Sequence, residues 1–212
     1  MFVHIMPLIH LTVQKNDLKL AIWEFSNNEL SPLENYLTDT YFSDSIAAIS
    51  LAKRQREIIG TKLLKRTLGI APLKYESSGK PITEKGHISI SHSENMVGII
   101  YADFLVGLDL QIPSKKLYRV RTKFCNLDEL ERAKTSNDEL SFLTIIWATK
   151  EAVFKMFGKN LPFAQGMDVH VIDEKSISCV VTTEEVNMQI NLTYFWINNQ
   201  VVVFTSREIA LD

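Results

Sequence analysis

Hydrophobic and polar positions change period several times along the chain. Residues 1–25 alternate in the manner of strands and break at the polar run Gln14-Lys15-Asn16-Asp17, which predicts a pair of strands. Ser31-Pro32-Leu33-Glu34 has the form of a helix start, with Ser31 as N-cap, Pro32 at N1 and Glu34 closing a capping box; that helix should end near Tyr41. A longer helix is expected over about 44–68, where Ile58, Ile59, Leu63, Leu64 and Leu68 keep helical spacing and Gly69 supplies the stop. Ser78-Gly79-Lys80-Pro81 reads as a turn. Strict alternation returns in Ile88-Ser89-Ile90-Ser91-His92-Ser93 and predicts a half-buried strand, followed by strands over 96–102 and 105–110 that turn around Asp103-Phe104.

Asn126-Leu127-Asp128-Glu129 is a second capping-box start, and after a polar break at 134–138 a helix should run from about Glu139 to Gly158. The chain then turns to strands over about 167–172, 177–181, 188–196 and 201–207. Turns at Asp173-Glu174-Lys175 and Asn198-Asn199 make these an antiparallel meander. This order predicts an α+β protein of two similar-sized halves, 1–104 and 105–212, each a small, mainly antiparallel sheet packed with helices.

Composition narrows the function classes only a little. With 212 residues, 46% hydrophobic and 23% charged, the chain can bury a sizeable core. Its formal net charge of −2, from 23 Lys+Arg against 25 Asp+Glu, gives no whole-chain argument for nucleic acid or membrane, so an anion site must be local. Two cysteines, Cys125 and Cys179, lack disulfide-framework or metal-ligand spacing and read as reduced thiols of a cytoplasmic protein. The apolar start has no basic leader segment and is broken by Pro7, so it reads as a strand and not a signal peptide.

Charge sits in unexpected places within this pattern. At about 3.6 residues per turn, Trp147, Glu151 and Lys155 share one face of the helix ending at Gly158, with Lys150 on the adjoining flank. Ile145, Ile146, Ala152, Val153, Phe154, Met156 and Phe157 take the other directions. A helix apolar nearly all round is a buried helix, and each buried charge then needs a partner, a metal or a ligand. The plain alternative is an internal Glu151–Lys155 pair at i, i+4. Lys53, Arg54, Arg56, Lys62, Lys65 and Arg66 against one acid, Glu57, make the only strongly basic stretch, which is either a solvated face or a phosphate site. Asp109 at the edge of Val106-Gly107-Leu108-Asp109-Leu110-Gln111 is a cap or turn acid on its own; beside Glu151 it becomes one of two oxygen ligands suited to Mg²⁺.

These blocks together resemble the 4′-phosphopantetheinyl transferases, specifically the two-subdomain (surfactin-synthetase-activating) type. Gly107-Leu108-Asp109 is similar to that family's Gly-x-Asp motif, and Trp147-Ala148-Thr149-Lys150-Glu151-Ala152 with Lys155 to its Trp-x-x-Lys-Glu-Ala…Lys motif. Gly79-Lys80-Pro81, Ile90-Ser91-His92-Ser93 and the basic helix around Arg54 match further blocks, all in the family's order over roughly 50–160. The resemblance implies two subdomains related by a pseudo-twofold axis and transfer of phosphopantetheine from coenzyme A to a serine of an acyl or peptidyl carrier protein. Such carriers serve fatty-acid, polyketide or nonribosomal-peptide synthesis, and 3′,5′-bisphosphoadenosine is released.

On the same resemblance, Asp109 and Glu151 hold Mg²⁺, Glu151 takes the serine proton directly or through water, and Lys155 meets the leaving phosphate. Arg54, Arg56, Lys80, Ser91, His92, Lys150 and Lys155 are implied in coenzyme A binding, with a salt bridge as the other role for Lys150. On its residues alone, His92 also fits a hydrogen-bonded histidine at a strand end, and Ser91 a strand serine bonding locally. Asp128 or Glu129 falls at a further acidic position of the family. Gln111 stands where many members carry a second acid, and implies ligation through its carbonyl or through water. Arg119, Arg121 and Lys123 would rim the site for an acidic carrier protein, with the enzyme a monomer. Three other readings compete: a non-catalytic coenzyme A- or carrier-binding module, an Mg²⁺-dependent phosphoesterase, and charges that merely pair internally.

Overall fold

The computed structural model describes residues 8–13, 18–25, 52–70, 73–77, 79–158 and 161–210; the expected helix starting at Ser31 lies outside them. β1 (Leu8–Val13) and β2 (Lys19–Glu24) pair with β5 (His87–Ser93) and β6 (Met96–Ala102) in an antiparallel sheet of order β1-β2-β6-β5. Because strand side chains alternate in direction, β2 sends Ala21 and Trp23 to one face and Leu20 and Ile22 to the other. Helix α1 (Ala52–Thr67) covers the first face, where Leu64 and Leu68 join Trp23, Val97 and Ile99 in one buried cluster. Gly69, with φ of +66°, follows the helix as expected. β3 (Lys74–Tyr75) and β4 (Pro81–Ile82) form a small hairpin beside α1 and β5.

A second sheet of order β7-β11-β10-β9-β8 holds β7 (Leu108–Gln111), β8 (Met167–Val171), β9 (Ser176–Thr182), β10 (Asn187–Ile197) and β11 (Gln200–Ala210). The last four strands are the expected meander, and Asn198 and Asn199 take positive φ of 45° and 62° in the two-residue turn. Leu108, Leu110, Val202 and Phe204 face the first sheet and bury with Leu20, Ile22, Met96 and Ile100 in a shared core. The alternate positions, Val201 and Val203, face α4 (Glu139–Phe157), the buried helix of the sequence. The protein is therefore α+β, built on antiparallel sheets with a long helix packed on each. Among the described residues, no helix is long and apolar enough to cross a membrane.

Three short helices complete the second half. α2 (Lys116–Phe124) was not expected, although Leu117, Val120 and Phe124 have helical spacing; α5 (Phe163–Gly166) is a single turn. α3 (Leu127–Thr135) opens with the capping box read from the sequence, Asn126 accepting from the Glu129 N–H and Glu129 from the Asn126 N–H, both at 2.8 Å.

The third strand is shorter than expected. It begins at Leu108, because Gly107 bonds Thr205 partly through that residue's side chain, with its N–H donating to Thr205 Oγ1 at 3.0 Å. Gly107 is required by proximity: a Cβ there would lie 1.9 Å from the Ala152 carbonyl oxygen of α4. Gly107→Ala is therefore expected to push α4 off β7 and cost about 3 kcal/mol, the upper range for overpacking. Urea unfolding checks this, and a midpoint equal to wild type would refute the close contact.

Candidate active site

Register determines which way the β7 side chains point. Asp109 is opposite Val203 and Gln111 opposite Val201, so both lie on the face that α4 covers. α4 runs from its N-cap Asp138 to Gly158, whose φ of +66° and N–H bond to the Phe154 carbonyl end the helix. Lys155 crosses from α4 to β7 and donates to Asp109 Oδ1 at 2.7 Å and to the Leu108 carbonyl at 3.1 Å. Lys155 thus pairs with Asp109, and the internal Glu151–Lys155 pair of the plain alternative does not form.

Ser91, on β5, completes the contact. Its hydroxyl is 3.0 Å from Asp109 Oδ1 and 2.9 Å from Lys155 Nζ. Asp109 Oδ2, by contrast, is buried and has no hydrogen-bond partner. Burial drives the Asp109 carboxyl above its usual range against the pull of Lys155 and Ser91. Glu151, one turn before Lys155 and partly open to solvent, is raised too, first by burial and then by the Asp109 charge, with Lys155 opposing.

Two repelling carboxylates with an orphaned oxygen suit a divalent cation. Among the described residues no three His, Cys, Asp or Glu side chains group as metal ligands. Two carboxylates, one with an unpartnered oxygen, are donors of the kind that hold Mg²⁺ when water and substrate phosphates complete its shell. Gln111 follows two residues after Asp109, and its amide N–H donates to the Ile112 carbonyl at 3.3 Å.

On the other face of β5 from Ser91, Ile90 and His92 line a cleft of about 400 Å³ with Thr61, Lys62 and Lys65 of α1, Tyr75, Gly79 and Pro81. Thr61 donates its hydroxyl proton to the Glu57 carbonyl at 2.7 Å, so the 2.9 Å contact to His92 Nε2 has the histidine N–H as donor. Partial burial, with Lys62 alongside, lowers the Lys65 ammonium below its usual value. Crowded cations on a walled cleft favour a polyanion. Arg54 and Arg56 belong to α1, but their side chains lie outside what is described.

Two expected ligand contacts are differently placed. Lys80 donates to the Met156 carbonyl at 2.9 Å, at the C-terminal end of α4, while its neighbours Gly79 and Pro81 line the cleft. Lys150 is the clearer correction: it has no exposed surface, donating to Glu129 at 2.7 Å and to the Phe124, Phe163 and Met167 carbonyls at 2.7–2.8 Å. It thus serves as a structural tie between α2, α3, α5 and β8, the salt-bridge role and not the ligand role. Glu129 is its buried acid, whereas Asp128 is exposed. Trp147 supports the same junction by packing on Phe124 and Phe163, with ring centroids at 5.1 and 5.7 Å. Thr61 is a cleft residue that the sequence analysis did not single out; its signal was its one-turn spacing from Lys65 along the basic helix.

The cysteines stand apart from this chemistry, since burial pushes both thiols up to about 12.

Residues 105–205 match the family model of the 4′-phosphopantetheinyl transferase superfamily, from just before Gly107 to Thr205 of β11. This region is a 4′-phosphopantetheinyl transferase superfamily domain. Asp109, Glu151 and Lys155 all lie within this transferase domain, whereas Ser91, His92 and α1 precede it. Comparison with curated proteins returns no match. Transfer of a phosphopantetheinyl group is the chemistry of the superfamily to which the domain belongs.

Proposed function

We propose that this protein moves 4′-phosphopantetheine from coenzyme A to a serine of an acyl or peptidyl carrier protein in the cytoplasm, with Mg²⁺, releasing 3′,5′-bisphosphoadenosine. The carrying observation is that Asp109, Glu151 and Lys155 meet between β7 and α4, within the transferase superfamily domain, and that Ser91 ties them to β5, the strand whose Ile90 and His92 line the basic cleft. The halves 1–104 and 105–212 would act as two subdomains of a monomer, related by a pseudo-twofold axis, with the site between them.

In this reading the carrier serine oxygen attacks the phosphorus that bears pantetheine. A new P–O bond forms, and the bond to the adenosine-side phosphate breaks. Glu151 takes the serine proton, a role supported by its partial exposure and its raised carboxyl, which brings it toward neutral pH. Lys155 meets the negative charge that gathers on the departing phosphate. Asp109 and Glu151 would hold Mg²⁺, with Gln111 beside them, and the bound cation would neutralise charge on the pyrophosphate. Lys62, Lys65, Thr61 and His92 would hold the nucleotide phosphates, joined by Arg54 and Arg56. The carrier would dock beside α2, where exposed Arg119 and Lys123 adjoin Leu127, 83% exposed just beyond. Arg121 is partly engaged with Glu139 at 3.6 Å.

Intact-mass spectrometry of apo carrier protein incubated with this protein, coenzyme A and Mg²⁺ tests the proposal. A gain the size of phosphopantetheine is expected, dependent on all three. Coenzyme A binding without any gain across several carriers would favour a binding module instead. Hydrolysis of coenzyme A without a carrier would favour a phosphoesterase.

A further inference from the structure

β5 and β7 are edge strands of different sheets, and they meet without pairing their backbones. Side-chain hydroxyls take the place of carbonyls: the Leu108 N–H donates to Ser89 Oγ and the Leu110 N–H to Ser91 Oγ, both at 3.1 Å. Period-two alternation puts both serines on one face of β5, and both are buried, at 3% and 2% exposure. At the level of the β7 backbone the two serines are equivalent.

Only Ser91 does more. A hydroxyl has one proton and two lone pairs. The Leu110 N–H and the Lys155 ammonium both donate to Ser91 Oγ, which commits the hydroxyl proton to Asp109 Oδ1, 3.0 Å away. Lys155 donates to that same oxygen, so Oδ1 is held from two sides while Oδ2 is left buried without a partner. We propose that Ser91 is a positioning residue of the transfer site, whose hydroxyl fixes the Asp109 carboxylate so that Oδ2 alone is presented to a divalent cation. The inference rests on the transferase reading above. It assigns Ser91 to the carboxylate and not to the coenzyme A pocket its motif implies.

Ser91→Ala would leave the carboxylate free to turn and would remove one acceptor from Lys155. Loss of an outer-shell partner of this kind lowers metal affinity by about 10- to 100-fold. The test is calorimetric titration of Mn²⁺ into wild type, Ser89→Ala, Ser91→Ala and Ser91→Thr, each with coenzyme A present, followed by the Mg²⁺ dependence of transfer. Both alanine variants are expected to lose thermal stability, because each uncaps one β7 N–H. Ser91→Ala alone should weaken Mn²⁺ binding and raise the Mg²⁺ midpoint, with the KM for coenzyme A unchanged, and Ser91→Thr should recover most of the loss. A raised KM for coenzyme A with unaltered Mn²⁺ affinity would overturn the assignment, as would equal weakening in Ser89→Ala. A wild type that transfers nothing, with the Mn²⁺ difference intact, would sink the transferase reading and leave the role of Ser91 standing.

Discussion

Lys150→Met is expected to destabilise the protein by about 3–5 kcal/mol, enough to leave little folded chain at 37 °C. The reason is the charge it leaves behind. Glu129 has no exposed surface, and its carboxylate is held by the Lys150 ammonium and by the Asn126 and Val169 N–H groups. Without the ammonium, an anion stays buried and the Phe124, Phe163 and Met167 carbonyls lose a shared donor. Replacing both partners with apolar residues should cost much less, because the desolvation of two charges disappears with their attraction. Thermal unfolding of Lys150→Met, Glu129→Leu and the double variant checks this. A double variant as unstable as the worse single one would show that the carbonyl contacts, not the ion pair, carry the junction.

Glu151→Gln should act in the opposite sense on activity and stability. Transfer is expected to fall by about 10²- to 10⁴-fold, the range for losing a general base. Stability of the metal-free protein should rise at neutral pH. Glu151 has its carboxyl raised from an ordinary 4.5, so it binds its proton more tightly folded than unfolded. Wild-type stability therefore falls as pH climbs from 4.5 through the raised value and stays reduced above it. The glutamine variant should show less of that fall, and saturating Mg²⁺ should narrow the gap by stabilising only the wild type. Thermal melts across this pH range, with and without Mg²⁺, measure it. A variant that lost stability at neutral pH would mean that Glu151 is paired structurally and does not serve the reaction.

Much of the fold was legible along the chain. The alternation of 88–93, the meander after residue 166, the capping box at Asn126 and the stop at Gly158 are local properties of neighbouring residues. The structure reproduces each of them. Asp109, Glu151 and Lys155 were legible for a related reason, as charges set in otherwise apolar elements and spaced as family motifs. Helix α2 also carries a local signal, the helical spacing of Leu117, Val120 and Phe124.

The partner of each charge was not legible, because pairing depends on distance in space and not in sequence. Lys150 and Lys155 lie five positions apart on one helix and have similar chemistry. One points into the junction of α2, α3, α5 and β8, where Glu129 neutralises it; the other reaches the carboxylate of β7 and the serine of β5. Gly107 shows the same division. Its place in a motif could be read from the sequence, but its necessity comes from the carbonyl of Ala152 lying where a methyl group would go. Local sequence determined which elements form and which carry charge. The packing of α4 between Glu129 on one side and Asp109 on the other decided which of those charges hold the fold and which meet the carboxylate of β7.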